Sequence, residues 1–303
     1  MKNLLLPLVT FLLFSCAEKP LIKTAVDEWK VYYLGGQSNM DGYGYNNELP
    51  ESLNIKFANV MIFDGKRVND NKPDGGIGKW SPLEPGHGVG FNTDGKSNFL
   101  SDRFGPELSF AKRLSSHSEK IAIIKYSFGG TALYQGAGYG NWDPDFNGNN
   151  HYDNAVATIQ NSQSIADING DGVMDKLIPS GIIWMQGEAD AQYSQKSAHA
   201  YFDNLKHLMR LFRKVFNRDE MPIVIGKIND SFMTENNKPT QPFISVVHAA
   251  QEAFVNQDPC SFYVTETENY TFSSDAWHYN SEGYIKMGNV FANSIIKLDQ
   301  KCK

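Results

Sequence analysis

The chain has 303 residues, of which 41% are hydrophobic and 20% charged, and its formal net charge is −6 at pH 7. These values are typical of an ordinary globular chain that forms one large α/β domain or two small ones. The negative charge argues against nucleic acid as a partner. No internal repeat at solenoid spacing is present.

The chain begins with a segment typical of an export signal. A short basic stretch precedes an apolar run at 4–14, which is too short to span a bilayer as a mature helix. The run ends in LFSC and resembles the lipobox of bacterial lipoproteins, which implies that residues 1–15 are removed and Cys16 is lipidated. Residues 16–27 would then form a tether before a single domain at 28–303. The alternative is a plain secretory signal cut nearby, and both predict an exported protein.

On the lipoprotein interpretation, the mature protein is anchored in the bacterial cell envelope, and we expect the outer membrane. Contact with the membrane is then made through the N-terminal lipid alone.

Apolar, often β-branched runs recur along the rest of the chain, as in buried parallel strands. They predict strands at 31–34, 60–63, 121–126, 181–184, 223–227 and 262–265. Segments with helical periodicity lie between them, at 106–114, 154–165, 198–216, 243–256 and 282–298. This alternation predicts a three-layer α/β/α sandwich around a central parallel sheet, with ligands bound at the carboxyl ends of the strands.

Four short motifs follow predicted strands or precede the last helix. Residues 35–40 (GGQSNM) place a hydroxyl after the first strand, and Gly129-Gly130 follows the third. Gln186-Gly187 follows the fourth, and Asp275 and His278 lie before the last helix. A serine, an imidazole and a carboxylate are the set needed for acyl transfer.

The ordered blocks resemble those of SGNH hydrolases, in the carbohydrate O-acetylesterase branch that includes acetylxylan and sialate O-acetylesterases. The similarity covers about 29–298 and is carried by 36–40 (GQSNM), 127–131 (SFGGT), 184–190 (WMQGEAD) and Asp275-x-x-His278. Residues 105–111 (GPELSFA) also resemble a helix start of that branch. Met185 stands where the family often has His.

The resemblance implies a serine esterase with an SGNH or flavodoxin-like fold. Ser38 would be the nucleophile, His278 the base and Asp275 the group that fixes the histidine tautomer. The oxyanion would be held by the Ser38 amide, by Gly130 and by the Gln186 side chain. Glu188 and Asp190 would brace the site or, as an alternative, form an acid pair. The chemistry needs no metal or organic cofactor.

Two long segments at 64–104 and 131–152 are rich in glycine, asparagine and aromatic residues. Loops of this length are often functional, and aromatic side chains can stack on sugars. They can equally cover hydrophobic surface. We take Gln37, Trp142 and Trp277 as candidate substrate-binding residues.

Residues 167–175 (DINGDGVMD) resemble the short calcium loops of extracellular proteins. Asp167, Asn169, Asp171 and Asp175 would supply oxygen ligands to a structural Ca²⁺. The alternative is a polar turn between a helix and a strand.

With Cys16 assigned to lipid, Cys260 and Cys302 remain. In an exported protein this pair can form one disulfide, and two free thiols are the alternative.

The sequence therefore predicts an exported serine esterase that removes acetyl groups from carbohydrate, acetylated xylan or a related polysaccharide first among them. One alternative is a sialate O-acetylesterase. Another is a surface glycan-binding lipoprotein without activity, against which the complete serine, histidine and acid set argues.

Overall fold

A computed structural model describes residues 26–118, 120–233 and 238–302 of the chain. The signal segment, Cys16 and nearly all of the tether lie outside the described residues, so the lipidation site stays a prediction. Within the described part, no helix is both long and apolar enough to cross a membrane.

The regular elements alternate along the chain. The strands are β1 (Asp27–Gly36), β2 (Gly44–Tyr45), β3 (Val60–Asp64), β4 (Trp80–Pro82), β5 (Asn92–Thr93), β6 (Asn98–Phe99), β7 (Arg103–Phe104), β8 (Ile121–Ser127), β9 (Asp175–Met185), β10 (Ile223–Gly226) and β11 (Ser261–Val264). The α-helices are α1 (Ser38–Asp41), α2 (Glu107–Leu114), α3 (His151–Gln163), α4 (Glu188–Tyr193), α5 (Gln195–Val215), α6 (Ile244–Gln257) and α7 (Ser281–Asp299). Short 3₁₀ turns lie at Asn46–Glu48 and Glu266–Asn269.

Seven strands form one sheet in the order β11-β10-β9-β1-β8-β3-β4. All neighbouring pairs are parallel except β3 and β4. The central strand β1 carries the nucleophile motif at its carboxyl end, between β8 and β9. These two strands precede the Gly129-Gly130 and Gln186-Gly187 motifs, so the topology brings three of the four motifs to one edge.

Helices cover both faces of the sheet, because neighbouring residues of a strand point to opposite sides. Tyr32 packs edge-on against Phe110 of α2, with ring centroids 5.4 Å apart. Tyr33, the next residue, packs against Phe212 of α5 at 5.0 Å. Helices α2 and α7 form one layer, and α3, α5 and α6 form the other. The predicted three-layer α/β/α architecture is confirmed.

Two differences from the sequence prediction concern the main sheet. Strand β9 begins at Asp175, six residues before the predicted start, because it pairs with the whole of β1. Its first half contains Pro179, which has no N–H to donate, and the register against β1 shifts there between Val31 and Tyr32. Strand β4 was not predicted and adds an antiparallel edge, whereas a parallel sheet was expected.

Cys260 and Cys302 form a disulfide, with their Cα atoms 5.7 Å apart. The bond joins the residue before β11 to the end of the chain after α7. The sequence left this pairing open, and the structure decides it.

Candidate active site

Ser38 lies where β1 ends and α1 begins. Gly36 has a φ of 142°, and a Cβ added there would come within 2.0 Å of the Met185 carbonyl oxygen, so the turn requires glycine. The next amide, of Gln37, donates to that same carbonyl at 2.9 Å. The close approach of β1 and β9 therefore fixes the backbone that presents Ser38. Among the described residues, its hydroxyl has no hydrogen-bond partner.

His278 and Asp275 lie on a tight turn before α7. The Asp275 Oδ1 atom accepts the amides of Trp277 and His278 at 2.9 and 3.0 Å, and Oδ2 lies 2.7 Å from His278 Nδ1. Ala276 between them has a φ of 67°, a conformation that a non-glycine residue rarely adopts. The carboxylate thus holds both the turn and the imidazole, so the other ring nitrogen, Nε2, is left for chemistry.

The Tyr43 ring supports the imidazole from one face. Its centroid lies 3.5 Å from that of His278, with an angle of 6° between the planes. The sequence analysis missed Tyr43, since nothing in its spacing from Ser38 or His278 indicates contact.

Burial and hydrogen bonding change the pKa values of the pair. Burial lowers the pKa of His278 below its ordinary value of 6.5, and the Asp275 carboxylate opposes this change. Burial alone would raise the pKa of Asp275, but hydrogen bonds from His278 and Trp277 hold it below its ordinary value. At neutral pH the site therefore contains a neutral imidazole beside an ionised carboxylate, as a general base requires.

Ser38 and His278 lie in the wall of one pocket of about 650 Å³. The wall is completed by α1 and the residue before it, by the Gly129-Gly130 turn, by α4 and by several loops. These are Gln37, Asp41, Tyr43, Arg67, Val89, Gly90, Phe128, Gly129, Gly130, Gly138, Tyr139, Glu188, Ala189, Gln192, Tyr193 and Trp277.

Backbone amides are the available donors for an oxyanion. In the described part of the chain, the amides of Ser38, Gly129 and Gly130 have no acceptor. Gly129 is the glycine beside the nucleophile, since a Cβ added to it would lie 3.4 Å from Ser38 Cβ. Gly130, which the sequence favoured, also lines the pocket, with a φ of 70°.

The prediction that Gln186 donates to the oxyanion does not agree with the structure. Gln186 is fully buried and does not line the pocket. Its Nε2 atom donates to the Thr131 carbonyl at 3.0 Å and to Asp190 at 2.7 Å, which occupies both hydrogens. Asp190 also accepts the amide of Leu133, so Gln186 and Asp190 together anchor the loop after Gly130.

Gln37 and Trp277, two of the candidate substrate-binding residues, line the pocket. Gln37 Oε1 accepts the amides of Gly187 and Ala189 at 3.4 and 3.3 Å. Its Nε2 has no acceptor in the described chain and is available to a ligand. Trp277 is 37% exposed beside His278.

The third candidate, Trp142, is wrong as a substrate contact. Its side chain is 1% exposed, packs edge-on against Trp184 at 5.0 Å and donates to Thr131 Oγ1 at 2.8 Å. Besides Trp277, the pocket is lined by two exposed aromatic residues that were not predicted as substrate contacts, Tyr139 (85%) and Tyr193 (56%).

Charged side chains that the sequence analysis did not single out lie behind the nucleophile. The Arg67 Nη2 atom lies 2.8 Å from Asp41 Oδ1 and 3.2 Å from Asp64 Oδ1. Burial raises the pKa of Asp41, although Arg67 and Lys125 act against it. Arg67 and Asp41 line the pocket, so its one arginine is already paired with carboxylates.

The loop of the four predicted calcium ligands is held by its own side chains. Asp167 accepts the amides of Gly170 and Gly172, and Asn169 donates to Asp171. The Asp175 carboxyl accepts the Trp29 indole and the Ile168 amide. Within the described ranges, no three His, Cys, Asp or Glu side chains are placed to hold a metal ion. The calcium site stays a prediction.

Several solved structures have a fold similar to that of this chain. A protein from Arabidopsis thaliana superposes with a TM-score of 0.64 at 18% identity, covering 88% of this chain and 98% of that one. A carbohydrate acetylesterase from Xanthomonas citri gives 0.60 at 15%, over 89% of this chain and 57% of that one. NanS gives 0.58 at 15%, over 91% and 99%. No curated protein matches the chain in sequence.

The mostly parallel sheet and its helix layers give the chain the fold of these structures. The family model described as carbohydrate esterase, sialic acid-specific acetylesterase, matches residues 28–297. The chain belongs to this family and is a carboxylic ester hydrolase that acts on acetylated carbohydrate.

Proposed function

We propose that this protein removes O-acetyl groups from a neutral carbohydrate, acetylated xylan or a related polysaccharide, by a serine mechanism. The observation that carries the proposal is the site itself. An unpaired Ser38 hydroxyl and an imidazole oriented by Asp275 line one pocket together with the Gly129-Gly130 turn.

In this mechanism Ser38 Oγ attacks the acetyl carbonyl carbon while His278 Nε2 takes the hydroxyl proton. Asp275 stabilises the imidazolium that forms. The amides of Ser38 and Gly129 donate to the oxyanion, with Gly130 as a further donor. The C–O bond to the sugar breaks, and His278 returns the proton to the sugar oxygen. Water then attacks the acetyl-Ser38 ester with His278 again as base, releasing acetate.

The charges of the pocket favour a neutral sugar. The ionisable Arg, Asp, Glu and His residues of its wall are Arg67, Asp41, Glu188 and His278. Arg67 is paired with Asp41 and Asp64, so a substrate carboxylate would have to compete with two carboxylates for the same guanidinium. Gln37 Nε2, Trp277, Tyr139 and Tyr193 provide the neutral donor and aromatic faces that suit hydroxyl-rich rings.

The second candidate is a sialate O-acetylesterase. The description of the matching family supports it. The two candidates differ in whether the acetylated sugar bears a carboxylate, and a substrate panel separates them.

The test is acetate release from acetylated xylan, other acetylated neutral glycans and O-acetylated sialic acid. Wild type is compared with Ser38→Ala and with Ser164→Ala, an exposed serine at the end of α3. We expect release from the neutral glycans that Ser38→Ala reduces by at least about 10⁴-fold and Ser164→Ala leaves unchanged. Acetate release from O-acetylated sialic acid alone would instead support the second candidate, a sialate O-acetylesterase.

A fluorophosphonate probe tests the non-catalytic alternative. Wild type and Ser164→Ala should be labelled, and Ser38→Ala should not, because the probe needs an activated serine. A folded wild-type protein that neither labels nor releases acetate would favour a glycan-binding protein.

We also propose that Cys16 carries a lipid anchor that holds the enzyme in the cell envelope. The LFSC sequence supports this. Cys16→Ala should move the protein from the membrane fraction to the soluble fraction with its esterase activity intact. An unchanged distribution would count against the anchor.

A further inference from the structure

Asn39 follows the nucleophile and is 2% exposed, and the mechanism above does not use it. Its side chain points away from the position of Ser38 and into the junction between α1, α4 and the turn that carries His278. Buried amides of this kind are costly unless all of their hydrogen-bonding positions are used.

All four positions of the Asn39 amide are used. Nδ2 donates to Glu188 Oε1 at 2.8 Å and to the Trp277 carbonyl at 3.2 Å. Oδ1 accepts the Tyr279 amide at 3.3 Å and the Tyr284 hydroxyl at 2.9 Å. The Trp277 carbonyl and the Tyr279 amide determine which end of the Asn39 amide is the donor, since a carbonyl only accepts and an N–H only donates.

Two of these hydrogen bonds hold the backbone on either side of His278. Trp277 and Tyr279 are the chain neighbours of His278, so one side chain holds the backbone on both sides of the imidazole. Within the described residues, the hydrogen bonds between α1 and residues 273–279 both go through Asn39. Other hydrogen bonds of the turn are internal to it. The Asp275 carboxylate accepts the Trp277 and His278 amides, and the Ser273 amide donates to the His278 carbonyl.

We propose that Asn39 is a positioning residue that sets the distance between the nucleophile and its base. Ser38 and Asn39 are consecutive on the rigid start of α1, so a bond made by Asn39 fixes the His278 turn relative to Ser38. This inference rests on the proposed function, in which Ser38 and His278 react together. Misplacement of a base by about 1 Å is enough to cost about 10²-fold in rate.

The test is Asn39→Asp, which keeps the shape and the acceptor oxygen but removes both donated hydrogen bonds. Asn39→Ser is a second variant that removes the hydrogen bonds to Trp277 and Tyr279 without burying a charge. The matched control is Asn150→Asp. Asn150 is also fully buried, donates to Asn141 and to the Asp143 carbonyl, and accepts two amides, but does not line the pocket.

We measure kcat, KM and thermal midpoint for each variant on the best acetylated substrate, together with the rate of fluorophosphonate labelling. The Asn39 variants should lose about 10- to 10²-fold in kcat and in labelling rate, with KM within about threefold of wild type. Asn150→Asp should lower the thermal midpoint while kcat stays within about twofold of wild type.

Two results would overturn the inference. One is a kcat within about threefold of wild type in the Asn39 variants, and the other is an equal loss of kcat in Asn150→Asp, which would indicate a general effect on stability. If wild type itself shows no Ser38-dependent activity or labelling, the proposed function fails first and the positioning role fails with it.

Discussion

At the scale of single residues, the environment of His278 determines how the rate should depend on pH. The base must be neutral to accept the Ser38 proton, and burial lowers its pKa below 6.5. The acid side of the kcat/KM profile should therefore have its midpoint below pH 6.5. Initial rates from about pH 4 to 9 would show this, with the fold checked at each pH. A midpoint above 6.5 would contradict the assignment or the pKa direction.

The residues of the site that lie in local motifs were predictable, and those that depend on packing were not. Ser38, Asp275 and His278 became candidates because four motifs together resemble the ordered blocks of SGNH hydrolases, whereas each motif alone is common turn chemistry. Gln186 was predicted to donate to the oxyanion, but its side-chain amide donates to Asp190 and to the Thr131 carbonyl instead. A side chain's direction depends on what surrounds it, which the sequence does not contain.

At the scale of elements, two loops differ in where their tryptophan lies. Trp142, in the loop between β8 and α3, is buried in the interior, whereas Trp277, in the turn before α7, lies at the pocket. Trp142→Ala should lower the free energy of unfolding by about 3–5 kcal/mol, because a buried indole leaves a cavity. Trp277→Ala should leave stability within about 0.5 kcal/mol and raise KM, because the side chain is exposed at the pocket. Urea unfolding and KM measurements on both variants test this pair. A rise in KM with Trp142→Ala and none with Trp277→Ala would reverse these assignments.

Strands that are buried along their whole length were easier to predict than a strand with a polar segment. Strands such as β3 and β8 are buried along their whole length, so their apolar runs stand out. Strand β9 extends through the polar segment at 175–180 because β1 pairs with it there, and its composition does not indicate a strand. Pairing between distant segments therefore overrides local propensity.

At the scale of the whole molecule, the disulfide ties the end of α7 to the residue before β11. Its two cysteines are 42 positions apart, so the bond restricts a long loop of the unfolded chain. Replacing both with serine should lower the free energy of unfolding by about 2–4 kcal/mol. The bond lies at the amino end of β11, away from the catalytic edge, so kcat at 25 °C should not change. Denaturation with and without reductant is the measurement, and equal midpoints in the two conditions would argue against a stabilising bond.

The sequence by itself determined the layered α/β class and the edge of the sheet at which the motifs lie, because both follow from periodicity and from the order of the strands. Its candidate serine, acid and histidine rested on the resemblance of the four motifs taken together. The tertiary structure alone decided the pairing of Arg67 with Asp41 and the burial of Trp142. It also decided the hydrogen-bond partners of Gln186 and the bonds of Asn39 to both chain neighbours of His278. Each of these joins segments far apart in the chain, and whether a polar group meets a partner or solvent depends on how the packed layers bring those segments together.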